Sequence, residues 1–561
     1  MAMDSIQVTL YIMEKNIIKR LSLLFLLLCP LWGLRAQESM DAYGLIPQPR
    51  MIQKTGTRYR LPAKLRLHYN DARLGFASEY LHQYLRQELS LSPTSKLSKA
   101  PGHISLLIDP QVSDEEAYRL SISKTGLSVR AGHERGALYG VMTLMQLLHS
   151  HRPRFGGRFV LPGLEIDDQP RYRMRALMLD PARNFLPVAQ VKRFLDRMAR
   201  YKFNTLQLHL TDDQGWRVEI ASHPDLTRIG ARRSSHESIT DNGFYTANDL
   251  KELVAYAAQR GIEIIPEVDV PGHTAALLLA KPELRCDIAR ETDFVLGKTD
   301  NVMLSAVSEA TFKVLDDVLR ELSEIFPRGT RIHLGGDESA IERNWAVSPE
   351  HQELQKKLGY DGPRALMSYF FERVLSSARK YGLRPMLWCE LDNIRMPAKE
   401  YLFDYPKDVE LITWRMGLTP KCLDLTRASG HKIILAPGEA AYFDYPQFRG
   451  DLPEFNNWGM PITTLERAYT WDLKNNLYAS GDGHVLGVMG TLWGEAIKDM
   501  NRVFYMTYPR ALALAEIGWT TLPRRDWASF VHRLPLVLDE LLRSGIPYRP
   551  PFEVYAPQPS K

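Results

Sequence analysis

Eight short apolar runs rich in β-branched residues recur between residues 173 and 492, and most are followed by a segment of helical period. They are Met174–Leu179, Thr205–Leu210, Ile262–Val268, Arg331–Leu334, Pro385–Trp388, Leu411–Trp414, Lys432–Leu435 and Val485–Leu492. Amphipathic helices between them include Val188–Tyr201, Asp249–Gln259, Glu309–Ile325, Arg364–Tyr381 and Tyr508–Trp519. Eight such strands over about 350 residues predict an α/β chain built on a closed parallel (β/α)8 TIM barrel. The rival is an open doubly wound sheet, which carries a Gly-rich phosphate turn after its first strand. Leu179-Asp180-Pro181-Ala182-Arg183 is not one.

Ahead of the barrel the pattern differs. Ile104–Ile108, Ala117–Ile122 and Gly126–Arg130 read as strands and Arg135–His149 as an amphipathic helix, which makes a small α+β unit. Asp167-Asp168-Gln169-Pro170 reads as a linker. The expected division is a signal peptide over 1–36, the α+β domain over 37–168, the barrel over 169–525 and a short extension over 526–561 that packs back on it.

The leader is read from Lys15, Lys19 and Arg20, the apolar run Leu21–Leu34 broken by Pro30, and Ala36 before Gln37. The run is about fourteen residues, short of the roughly 20 that span a bilayer, so export is expected and a membrane anchor is the alternative. The location is then periplasmic, cell-surface or secreted, with no membrane span in the mature chain. Translation could equally start at Met13, and Cys29 follows bulky Leu28 where lipidated cysteines want a small neighbour. Cys286, Cys389 and Cys422 are too few and too scattered for a disulfide framework or a zinc knuckle. A hydrophobic fraction of 45% and a charged fraction of 24% exclude disordered, collagen-like and coiled-coil chains. The net charge of +5 is spread along the chain and offers nucleic acid no basic face.

Chemistry in such barrels sits at the C-terminal ends of the strands. Those ends carry Asp180 and Arg183; His209, Asp212 and Asp213; Glu267, Asp269 and His273; Asp337 and Glu338; Trp388 and Glu390; Trp414; Tyr442 and Asp444; Trp493 and Glu495. Charged groups cost free energy when buried without partners, so one rim holding this many needs a reason. His333-Leu334-Gly335-Gly336-Asp337-Glu338 is the densest element; its glycines remove bulk where a ligand could approach. Adjacent carboxylates on an extended chain point to different sides and address different parts of a ligand. One protonated and one ionised carboxyl is what glycosidic cleavage needs. Tryptophans beside carboxylates match the apolar faces and polar edges of a sugar.

These motifs resemble those of the family 20 glycoside hydrolases, the β-N-acetylhexosaminidases. The matching stretches are His209–Trp216, Pro266–His273, His333–Glu338, Trp388 with Glu390, Tyr442 with Asp444, and Leu492–Glu495, in the family's order over roughly residues 170 to 520. The small domain resembles the accessory domain that often precedes this barrel. The resemblance implies Glu338 as general acid and then base, with the substrate's own 2-acetamido oxygen as nucleophile and an oxazolinium intermediate. It implies Asp337 at the acetamide nitrogen, Tyr442 at its oxygen, and Trp388, Trp414 and Trp493 as pocket walls. Arg183, Asp444 and Glu495 would bind ring hydroxyls, and Asp212 and His273 would tune Glu338. The implied substrates are glycans ending in β-linked N-acetylhexosamine, cleaved exo with retention, with no cofactor and no metal. Arg183-Asn184-Phe185 and Tyr469–Leu473 depart from the usual forms, and Cys389 separates Trp388 from Glu390. A non-catalytic glycan binder and a metal-dependent barrel hydrolase using His209, His273 and His333 are the competing readings. Preference between GlcNAc and GalNAc, the aglycone and the oligomeric state stay open.

Overall fold

Continuous apolar strands require cover on both faces, and the chain supplies it by closing the sheet. The computed structural model describes residues 43–153, 157–231, 243–287, 302–390, 404–449, 451, 460–473 and 483–555. The expected leader lies outside them. Seven strands form the first sheet: β1 (Met51–Arg60), β2 (Lys64–Tyr69), β3 (Ser92–Leu97), β4 (Ile104–Ile108), β5 (Tyr118–Ser123), β6 (Gly126–Ala131) and β7 (Val160–Asp168). Their order is β1-β7-β5-β6-β4-β2-β3, antiparallel from β1 through β6 and parallel from β6 to β3.

The barrel strands are β8 (Met174–Leu179), β9 (Thr205–His209), β10 (Glu263–Val270), β11 (Arg331–Gly335), β12 (Arg384–Trp388), β13 (Glu410–Thr413), β14 (Ile433–Leu435) and β15 (Val485–Gly490). All eight pair in parallel with their sequence neighbours, and β15 closes on β8. The eight apolar runs are thus the eight strands of a TIM barrel. Met174, Ala176, Met178, Ile265, Met386, Ile412, Ile434 and Met489 fill the interior. The covering helices follow their periods: Val191, Phe194, Leu195 and Met198 form the buried stripe of helix Val188–Arg200. Helix Ala247–Gln259 opens with a reciprocal Thr246–Asp249 capping box.

Of the linker expected at 167–170, Asp167 and Asp168 are instead the end of β7, locked to the barrel's base, and Gln169 and Pro170 lead on toward β8. Buried Asp168 accepts from the Arg50 amide at 2.9 Å, Tyr118 at 2.5 Å, Lys202 Nζ at 3.1 Å and the Trp519 indole at 2.9 Å. Beside it Glu116 pairs with buried Arg175 of β8 at 2.9 Å. Helix Trp527–Arg543 adds Arg533 to Glu516 at 2.6 Å and Glu540 to Arg200 at 2.5 Å. The small domain is therefore bolted to the barrel's N-terminal face, which leaves the opposite rim open. Among the described residues no helix is long and apolar enough to cross a membrane.

Candidate active site

Glu267 on β10 organises the ground beneath the rim. Fully buried, it receives the Trp388 indole at 3.0 Å and the Gln207 amide at 2.8 Å, and it lies 2.7 Å from His209 Nδ1 and 2.9 Å from His333 Nδ1. Burial opposes its charge, but the two histidines outweigh that and hold it well below the ordinary carboxylate range. His209 passes its other nitrogen to Asp212 at 2.9 Å. Asp212 in turn meets Arg183 Nη2 at 2.7 Å and His273 Nδ1 at 3.4 Å. His273 Nε2 finally lies 3.7 Å from Glu338 and 3.8 Å from Asp337. Acid and base alternate along this line, which is how a dry site tolerates so many charges. Both nitrogens of His209 face carboxylates, so it serves as a bridge between them and fits poorly as a metal ligand.

The strand ends aim the reacting pair. Asp337 is buried, and its Oδ1 has no hydrogen-bond partner among the described residues. Burial raises its affinity for a proton, His273 works against that, and Glu338 adds to it. Glu338 has a half-exposed side chain and sits at φ +46°. His273, at φ +52°, is its partner in the same left-handed region, and such backbone persists only where its surroundings hold it. The His273 contact keeps Glu338 below the usual carboxylate range although burial opposes it. His273 is itself held well above 6.5, burial opposing and Asp212 prevailing.

Gly335 and Gly336 answer to the protein, not to a ligand. A Cβ on Gly335, at φ +66°, would come 1.7 Å from Asp269 Oδ1; one on Gly336 would meet Phe371 at 3.3 Å. The space expected for close ligand approach is filled by the Asp269 carboxyl and by core. Burial and then Asp337 push Asp269 well above the carboxylate range.

Aromatic walls rise from the ends of β12, β13, β14 and β15. Trp388 and Trp493 lie 5.8 Å apart between centroids, and Tyr442 lies 6.3 Å from Trp493. Trp414 packs against the cluster of Tyr442, Tyr445 and Met460. Arg183 is braced by Asp180 at 3.0 Å, with Glu495 at 3.8 Å. Asp444 accepts from the Trp493 amide at 3.4 Å. Asn184, one of the unusual residues, donates to the Gly494 carbonyl at 2.7 Å and ties two rim loops together. Tyr469, another, is buried far from the rim against Phe530 and donates to Glu516 at 3.2 Å.

All eleven residues singled out for chemistry therefore lie on one rim. Sequence reasoning missed the bridging role of Glu267 and the packing of Asp269; both stood on the rim list, but only three-dimensional contact reveals what they touch. The sequence sets Arg415 beside Trp414 but does not show that its guanidinium joins Glu390 at 2.5 Å and lies 3.9 Å from Glu338.

Clustered aromatic rings beside an acid pair, at the C-terminal mouth of a TIM barrel, place the chain among the glycoside hydrolases. Sequence comparison is more specific. The profile of glycosyl hydrolase family 20, catalytic domain, matches residues 172–522, and that of the family's domain 2 matches 42–169. A β-hexosaminidase of Akkermansia muciniphila is 37% identical over 442 residues, covering 77% of this chain and 85% of that one. One of Vibrio furnissii is 33% identical over 490 residues, with coverage of 85% and 76%. The exo β-N-acetylglucosaminidase of Vibrio harveyi, solved with N-acetylglucosamine, has a TM-score of 0.80 at 30% identity over 91% of this chain and 79% of that one. The N-acetyl-β-hexosaminidase of Streptomyces plicatus, solved with Thio-NAglucal, has a TM-score of 0.75 at 30% identity, with coverage of 90% and 96%. The chain belongs to glycosyl hydrolase family 20 and is a glycoside hydrolase of the β-hexosaminidase kind.

Proposed function

We propose that the protein is an exported, exo-acting β-N-acetylhexosaminidase that removes terminal β-linked N-acetylhexosamine with retention, the substrate's acetamide being the nucleophile. The observation that carries this is the orphaned, buried Asp337 Oδ1 beside half-exposed Glu338. A buried acceptor without a donor suits an incoming amide N–H. Asp337 takes that N–H and Tyr442 donates to the amide oxygen, which fixes and polarises an otherwise poor nucleophile. The oxygen attacks the anomeric carbon, the glycosidic bond breaks, and Glu338 gives its proton to the leaving oxygen. In the second half Glu338 takes a proton from water, water attacks the same carbon, and the oxazolinium ring reopens to the acetamide. Two inversions leave the configuration retained.

His273 lies 3.7 Å from Glu338, and this contact favours the ionised carboxylate. A sugar that strips water from them favours the neutral pair over the ion pair, and so moves a proton onto Glu338. Trp388, Trp414 and Trp493 wall the acetamide and stack on the ring. Arg183, Asp444 and Glu495 hold hydroxyls of the terminal sugar and leave no room for a further residue, which is why action is exo. Export is supported by the basic stretch and apolar run before Gln37.

The test is Glu338→Gln against an aryl β-N-acetylglucosaminide and a disaccharide. Disaccharide turnover is expected to fall about 10³-fold while N-acetylglucosamine still binds, because only proton transfer is lost. Unchanged disaccharide turnover would refute the assignment. A non-catalytic glycan binder would show no turnover in the unaltered protein.

A further inference from the structure

The mechanism leaves one charged pair at the rim without a task. Glu390, two residues beyond β12, lies 12% exposed, and its Oε1 accepts from Arg415 Nη2 at 2.5 Å and Nε at 3.1 Å. Its Oε2 is buried with no partner among the described residues. Arg415, two residues beyond β13, sits over the Trp414 ring with 4.0 Å from guanidinium carbon to ring centroid. Its remaining Nη1 points to Glu338 Oε1 at 3.9 Å. The two oxygens of Glu338 therefore face two different cations, Oε2 toward His273 at 3.7 Å and Oε1 toward Arg415. Arg415 is shared between two carboxylates, and it cannot close fully on both.

We infer that Arg415 and Glu390 are positioning residues that set the proton affinity of the acid: Arg415 steadies Glu338 from the side opposite His273, and Glu390 holds Arg415 back. The inference rests on Glu338 being the general acid. A cation within 4 Å favours the ionised carboxylate, and a second carboxylate that competes for this cation weakens the effect. The cation–π contact with Trp414 helps to hold the guanidinium where it reaches both partners.

Other groups act on the pair from neighbouring elements. Glu338 faces Arg183 from beyond β8, His273 from beyond β10 and Tyr445 from beyond β14, besides adjacent Asp337. Glu390 faces Asp337, Glu338 and, on its other side, Cys389 and Tyr405. Burial, opposed by Arg415, pushes the Glu390 carboxyl up to about 7, so the grip of Glu390 on Arg415 weakens in the acid range.

The experiment is the pH profile of kcat/KM for N,N′-diacetylchitobiose, whose sugar leaving group needs the proton. Its alkaline limb reports the loss of the acid in the free enzyme. Arg415→Gln is expected to move that limb up by about half a pH unit or more, and Glu390→Gln to move it down by a similar amount. In the Arg415→Gln background, Glu390→Gln should move the limb far less, and Arg415→Lys should restore most of the original position. Arg415→Met replaces the Gln variant if the latter does not fold. Limbs that stay in place, or that move in the same direction in both single variants, would overturn the inference, whatever happens to the rate. Glu338→Gln separates the two claims. If it still cleaves chitobiose the acid assignment fails; if it is inactive while the limbs are unmoved, only the Arg415–Glu390 inference fails.

Discussion

The indole N–H of Trp388 ends on Glu267 Oε1 at 3.0 Å, so a carboxylate with no solvent exposure fixes one wall of the pocket. The same carboxylate lies against His209 and His333, which makes it a support for the walls and for the charge line at once. Glu267→Gln is expected to lower stability by about 3 kcal/mol, because it leaves buried imidazolium charge uncompensated. It should also raise KM as Trp388 loosens. Denaturant unfolding and steady-state kinetics check both; an unchanged midpoint would show that Glu267 carries no such load.

His209 gives the fold a pH signature. Burial opposes its charge, but Glu267 and then Asp212 prevail and raise it well above 6.5. A group whose affinity for protons rises on folding stabilises the fold fully below its unfolded value and loses that contribution as pH climbs through the folded value. Tm is therefore expected to fall as pH rises from about 7 into the alkaline range. His209→Gln should lower Tm and flatten that slope. A Tm that climbs between those limits would contradict the assignment.

Asp337 makes the opposite exchange between stability and activity. Its carboxyl is buried, disfavoured as an anion by desolvation, and has an oxygen with no donor among the described residues. Asp337→Asn is expected to cut kcat about 10²-fold, the usual cost of losing one polar contact to the developing charge, with Tm unchanged or higher. Tyr442→Phe should cost a similar factor. Full activity in either variant would remove that residue from the reaction.

Asp168 tests the junction at the other end of the barrel. Its four donors come from β5, the residue before β1, the loop before β9 and a barrel helix. Asp168→Ala strands Lys202 Nζ in a buried site and should cost about 3 to 5 kcal/mol. Unfolding followed by fluorescence is the readout, and a loss below about 1 kcal/mol would mean that the junction does not depend on this carboxylate.

The barrel was legible because each of its strands is a closed apolar run, and the rim was legible because polar residues follow those runs at once. The first sheet was less so. β1 is mostly exposed and β3 exposes five of its six residues, so neither shows an alternating pattern. Asp167-Asp168 reads as a turn because paired acids usually meet water. Its true partners, Lys202 and Trp519, lie 34 and 351 residues away. Gly335 misled for a related reason: a glycine announces a close approach, but not that Asp269 from the neighbouring strand is what approaches.

The account depends on the substrate's acetamide, and not a protein carboxylate, forming the bond to the anomeric carbon. Intact-protein mass spectrometry after incubation with a nucleophile-trapping fluorosugar, run beside inhibition by a thiazoline mimic of the oxazoline, tests this directly. The expected result is an unchanged protein mass and strong competitive inhibition by the thiazoline. A stable glycosyl adduct on the protein would contradict it.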